Sequence, residues 1–379
     1  MKTMISPFVE RQNAHQPVVF LRRGLWLILA LVLLVAGCGP VSVAGSWAGV
    51  TAGDDGLIMA YLDRVTRFNS SGVARWEFPA PGDELRGHTQ FYATPAVTED
   101  VVYAGGYDHK VYAINRDNGQ LLWVNEDATS RIIAGLTVAS GKVLVGIGNH
   151  GVMALNQRTG QKEWFFETGQ GVWAAPLVVD DVVYVASLDK HLYALTLASG
   201  QELWRQNLGG AIAGAPVYDD GVLYVGTFTR TIVAVNAADG TIINTFQAEN
   251  WVWDTPTVAD GVLYAGDMSG NVYALETGTF TPVWQRKVAR EGIRTSPLVA
   301  GDLLIIGSRD DTLYAVNRTS GTPVWQQPVG GDILSNLILL NDDLLVVSTM
   351  SQDRQLVAFD LEGKVVWTYP PVAASQQSQ

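Results

Sequence analysis

A chain of 379 residues with 47% hydrophobic residues, 16% charged residues, 39 Gly and 12 Trp is too apolar to be disordered, and suits a compact fold with many tight turns. The formal net charge of −12 makes nucleic acid an unexpected partner. A lone cysteine, Cys38, rules out an intramolecular disulfide and a thiolate metal cage.

The first residues read as a lipoprotein export signal, with a plain signal peptide or an uncleaved anchor as the alternatives. Residues 25–36 (LWLILALVLLVA) form an uncharged apolar run, preceded by Arg22-Arg23 and followed by Gly37-Cys38-Gly39-Pro40. The run is shorter than the roughly twenty residues that span a bilayer, and basic residues, a short apolar core and small residues before a cut describe a signal peptide. Val35-Ala36-Gly37-Cys38 resembles a lipobox, so cleavage after residue 37 is expected to leave Cys38 lipidated as the first residue. Arg22-Arg23 also resembles a twin-arginine signal, a pair that ordinary signals carry too. Gly39 stands where an Asp would imply inner-membrane retention, so an outer-membrane, periplasmic destination is expected in a cell with two membranes, and the outer face of the cell membrane otherwise. Removing residues 1–37 leaves 21 basic residues against 36 acidic, a charge of −15.

After a tether over 38–45, an internal period governs the chain to residue 370. Trp76, Trp123, Trp164, Trp204, Trp284, Trp325 and Trp367 recur in steps of about 40, with Asn244 in the one vacant place. Four residues before each stands a glycine, as at Gly72, Gly119 and Gly200, except that Phe280 precedes Trp284. In the fourth unit, runs of β-branched and aromatic residues are broken by Asp180-Asp181, Asp189-Lys190 and Ser199-Gly200, which reads as four short strands and three hairpins. A four-stranded unit cannot bury both faces alone, so eight of them predict an all-β, eight-bladed β-propeller over residues 46–370, monomeric and free of helical segments. The tryptophans are expected to pack between blades. The Asn244 seam is expected to be the weakest. Residues 371–379 form a polar tail, and Val41–Ala44 could add a strand that closes the ring.

Tyr103-Ala104-Gly105, Tyr112-Ala113-Ile114, Gly119 and Trp123 together resemble the pyrroloquinoline-quinone-type propeller repeat, and units 4, 6 and 7 carry the same pattern. The resemblance covers about residues 46–369 and implies this fold. One branch of that family, the quinoprotein dehydrogenases, implies a calcium-bound quinone, a catalytic Asp and often an adjacent cysteine pair. The single cysteine removes that pair, and only residues 77–94 exceed the bare repeat, so no quinone and no enzymatic activity are expected. A second branch, the lipoprotein propellers of the outer-membrane barrel-assembly machinery (BamB), shares the lipobox, the eight blades and the length. It implies a membrane-anchored protein- or ligand-binding scaffold in outer-membrane protein assembly, with a protein partner expected in the envelope. A quinone-dependent oxidoreductase subunit and an envelope sensor are the other readings.

His109, His150 and His191 lie one blade apart, too far separated to share an ion at about 2 Å, so no metal is expected. No serine stands in a nucleophile elbow, and a hydrolase is unsupported. The position three residues before the first-strand proline, or its replacement, falls at Ala48, Tyr92, Ile133, Trp173, Ala213, Trp253, Arg294 and Leu334. With first strands around the axis, these positions rim one funnel. Tyr92, Arg131, Trp173, Trp251, Trp253, Asp254 and Arg294 form the expected binding rim, since loops on rigid scaffolds carry function and Trp and Arg are frequent anchors. The turns between strands one and two, among them Asp180-Asp181, Asp219-Asp220 and Asp342-Asp343, place most of the acidity on the opposite face, where Asp suits tight turns.

Overall fold

The computed structural model describes residues 48–53 and 55–371, and every regular element among them is a strand. Cys38, the apolar run before it, Val41–Ala44 and the tail beyond residue 371 lie outside the described residues. The strands form eight sheets, each of four consecutive antiparallel strands. In blade 4 these are Leu177–Val179, Val182–Ala186, His191–Thr196 and Glu202–Asn207. First strands neighbour one another around the axis, and Gly49–Gly53 of blade 1 lies against Ile338–Leu340 of blade 8. The architecture is an eight-bladed β-propeller.

Burial explains the run-like sequence of each blade. Strands two and three are covered on both faces by neighbouring blades, so Val183–Ala186 and Leu192–Leu195 are continuously buried, whereas the outer strand Glu202–Asn207 alternates. One apolar cluster fills each of the eight seams, and among the described residues no cluster is shared by all blades. On one face lie the turns between strands one and two. Asp220-Gly221 has φ of 42° and 81°, and Asp260-Gly261 has 50° and 75°, the double left-handed geometry of a type I′ hairpin. Asp tolerates that conformation, which accounts locally for the acidity of this face.

The tryptophans belong to the seams, as their period implies. The Trp164 Nε1–H donates to Leu197 O at 3.0 Å in the next blade, and its ring covers Gly200, where a Cβ would come within 2.6 Å of Cε3. Only glycine fits there, at φ 69°. The arrangement repeats around the ring and closes it: Trp367 donates to Ser70 O at 3.0 Å and covers Gly72. Among the described residues no strand is exchanged between blades 8 and 1.

The Asn244 seam, expected to be the weakest, is filled by a different pair of side chains. Asn244 Nδ2 donates to Thr279 O at 3.3 Å, and Phe280 occupies the space that an indole fills elsewhere, buried and stacked on Tyr224 at 5.9 Å. Loss of the tryptophan and loss of the glycine are one compensated change. The two positions fall in different sequence repeats because each tryptophan serves the following blade.

Candidate functional site: the channel mouth

The loops that run from one blade into the first strand of the next are held at fixed height. The residue four before the first-strand proline (Ile132, Val172, Ile212, Val252, Ile293 or Ile333) is fully buried between blades. Its N–H donates to the preceding blade's second turn, as from Val172 to Ile147 O at 3.0 Å and from Val252 to Thr227 O at 3.2 Å. The residue before it accepts from the second turn of the blade that the loop enters, as in Met268 N–H to Trp251 O at 2.9 Å. Clamped from both sides, the following residue must turn toward the axis. Ile133, Trp173, Ala213, Trp253, Arg294 and Leu334 therefore line one channel with Asp254.

Within it, the Arg294 guanidinium lies over the Trp253 ring at 3.9 Å from the centroid. Phe228 packs against Trp253 at 4.7 Å, and Trp251 stacks on Phe228 at 5.2 Å with planes 13° apart. The four planar groups form a ladder from the channel to the surface, where Trp251 is 46% exposed. Trp173 Nε1–H donates to Gly148 O at 3.2 Å, which fixes its ring at the wall. Burial pushes the Asp254 carboxyl up to about 6, against the Thr255 N–H, which donates to Oδ1 at 2.7 Å, and the Arg294 charge. Burial, then the nearby Arg309 charge, hold the Arg294 guanidinium below its ordinary value.

Two predicted rim residues depart from this group. Tyr92 is 2% exposed, enclosed by Tyr61 and by Tyr107, whose ring centroid lies 4.8 Å away. Burial, with Tyr107 and Tyr61, pushes its hydroxyl up to about 12. Tyr92 is thus a packing residue rather than an accessible part of the rim. Arg131 is exposed and lies over Tyr107 at 5.5 Å, on the Tyr92 side of the mouth. Phe228 was not among the predicted residues, although it joins Trp251 to Trp253. Its signal was its repeat position, shared with Tyr107, in a turn that sequence reading treats only as punctuation.

The channel encloses about 160 Å³, below the roughly 300 Å³ at which small-ligand pockets begin. His109 and His150 stand in the second turns of blades 2 and 3 and His191 opens the third strand of blade 4, and among the described residues no three His, Cys, Asp or Glu converge on an ion site.

Comparison with known proteins agrees with this architecture. The family model described as "Outer membrane protein assembly factor BamB" matches residues 127–200, 189–296 and 268–378. The assembly factor BamB of Nitrosomonas eutropha is 26% identical over 121 residues, 31% of this chain and 28% of that protein. The quinohemoprotein alcohol dehydrogenase ADH-IIG of Pseudomonas putida is 28% identical over 111 residues, 25% of this chain and 16% of that protein. The chain therefore spans less than a third of the length of either curated relative. The crystal structure of BamB from Moraxella catarrhalis superposes with a TM-score of 0.70 at 20% identity, over 82% of this chain and 92% of that one, which shows the shared fold. Because the family model matches about two thirds of its length, the chain belongs to the outer membrane protein assembly factor BamB family.

Proposed function

We propose that the protein is a non-catalytic scaffold of outer-membrane protein assembly, anchored to the membrane by a lipid on Cys38, that grips a protein partner with its channel mouth. The observation that carries this reading is the ladder Arg294–Trp253–Phe228–Trp251, rigidly held and ending in a half-exposed indole. A large aromatic is not needed there for folding, since Ala211 and Gly292 take the Trp251 position in neighbouring blades. Trp and Arg on a fixed framework are efficient anchors, because little side-chain entropy remains to be lost. Family membership supports the assembly role, and the lipobox supports placement at the periplasmic side of the outer membrane. The narrow channel favours a partner's side chain over a cofactor, so no quinone, metal or other cofactor enters this reading.

The test is capture of the envelope partner by cross-linking from living cells. Trp173→Ala combined with Trp251→Ala is expected to weaken capture about thirtyfold, the loss of an anchor of about 2 kcal/mol, with little change in melting temperature. Asp342→Asn with Asp343→Asn, on the other face, is expected to change neither. Loss of capture in the acidic-turn variant with retention in the tryptophan variant would place the binding surface on the wrong side of the propeller.

A further inference from the structure

The seams also open as grooves on the acidic face and at the perimeter, and the groove between blades 4 and 5 combines an aromatic side chain with carboxylates. In every outer strand the pairing register slips beside the seam residue, as at Ala194/Leu195 opposite Trp204. This bulge turns the preceding residue outward. It leaves Leu203 52% exposed and Ile243 55% exposed. Between blades 4 and 5 these two side chains flank a groove of about 500 Å³. Its floor is made by Tyr184 and Trp204, both donating to Ala237 O at 3.1 Å.

Two features single out this groove. Tyr218 stands in its wall at 38% exposure. The same first-strand position carries Val97, Val138, Val178, Val258, Val299 and Leu339 in other blades, so the aromatic is not required by the fold. Asp180 and Asp220 also line it, with no cation among the lining residues. Both are exposed, and Asp181 and Asp219 continue the acidity on either side. The burial-raised Tyr184 hydroxyl is raised further by Tyr218 and Asp180, which places all three in one local field. Two other grooves carry the opposite charge. That between blades 2 and 3 holds Arg158, and that between blades 6 and 7 holds Arg286 and Lys287, neither with a carboxylate.

We propose that the groove between blades 4 and 5 binds an extended segment of a partner protein in which a bulky apolar side chain stands next to lysine or arginine. The apolar side chain lies between Leu203, Tyr218 and Ile243 over the Trp204 floor. The cation reaches Asp180 or Asp220, whose charges stay hydrated and so cost little to approach. Charge complementarity selects this occupant, because an acidic or neutral apolar segment gains nothing from the carboxylates. The site is separate from the channel mouth, which lies on the other face.

The probe is a short fluorescein-labelled peptide of alternating leucine and lysine, titrated into the full chain and followed by anisotropy. Binding is expected to weaken about three- to tenfold in Asp180→Asn with Asp220→Asn, the loss of two exposed ion pairs. Asn keeps the left-handed turns of both positions (φ 51° and 42°), so the fold is preserved. Tyr218→Val, which restores the residue of the other blades, is expected to cost a similar factor. Binding is also expected to fall as ionic strength rises from about 0.05 M to about 0.5 M. The proposal is overturned if the peptide does not bind, if a leucine–glutamate peptide binds equally well, or if neither variant changes the affinity. Loss of peptide binding in Trp173→Ala with Trp251→Ala would likewise overturn it and move the site to the channel mouth. Should a variant melt early, a benzophenone-bearing leucine–lysine peptide cross-linked to the parent decides. Attachment at Leu203, Tyr218 or Ile243 supports the groove, and attachment elsewhere refutes it.

Discussion

Exchanging both partners of the unusual seam tests the packing rule directly. In the seven tryptophan seams, a Cβ built on the covered glycine would lie 2.5–3.0 Å from the indole, so an indole and a larger side chain cannot share the space. Asn244→Trp alone therefore drives an indole into Phe280 and is expected to cost about 1–3 kcal/mol by overpacking. Phe280→Gly alone removes a ring that is 6% exposed, a loss of about 3–4 kcal/mol, offset by about 1–2 kcal/mol from relief of the left-handed φ. Together the two changes rebuild the geometry of the other seams. The double variant is expected to be at least as stable as the parent, a coupling of about 2 kcal/mol or more between the sites. Urea unfolding of the four proteins, checked by calorimetry, measures that coupling. Additivity within about 0.5 kcal/mol would show that the two residues do not share one cavity and would refute the seam argument.

Asp254 gives a pH-dependent prediction. Its carboxyl titrates near 6 in the fold against 3.8 for the ordinary group, so the native state holds this proton more tightly than the unfolded chain. The resulting stabilisation is present at low pH and disappears as pH rises from about 4 to about 6.5, a change of about 2–3 kcal/mol. Asp254→Asn should accordingly gain on the parent in melting temperature across that window, and a constant difference in calorimetric scans would refute the assignment. Cys38→Ser is expected to release the protein from membranes and to block cleavage after residue 37; mass spectrometry showing membrane-bound mature protein with an unmodified Cys38 would contradict the anchor. Addition of pyrroloquinoline quinone and calcium is expected to give no dye-linked oxidation of alcohols or aldoses, and clear turnover would overturn the scaffold reading.

The blade was legible in the sequence because each of its strands does one repeated job. Runs such as Val182–Ala186 are apolar throughout since neighbours cover both faces, Asp220-Gly221 spells its turn, and the tryptophan period counts the seams. The ring of positions pointing into the channel could also be named in advance, because a repeat places equivalent residues at equivalent radius. What the repeat could not express is contact across blades. Asn244 and Phe280 read as two separate defects, since a tryptophan and the glycine it covers lie about 36 residues apart, in successive repeats. Tyr92 shares its position with Trp173 and Trp253 yet is closed in by Tyr61 and Tyr107, which only the local packing of blades 1 and 2 decides. Phe228 enters the site because a turn of blade 5 reaches the loop that leads into blade 6, a proximity set by the radial stacking of sheets. The period thus determines which residues are equivalent, whereas exposure, stacking and charge at those equivalent places depend on neighbours that are distant in the chain.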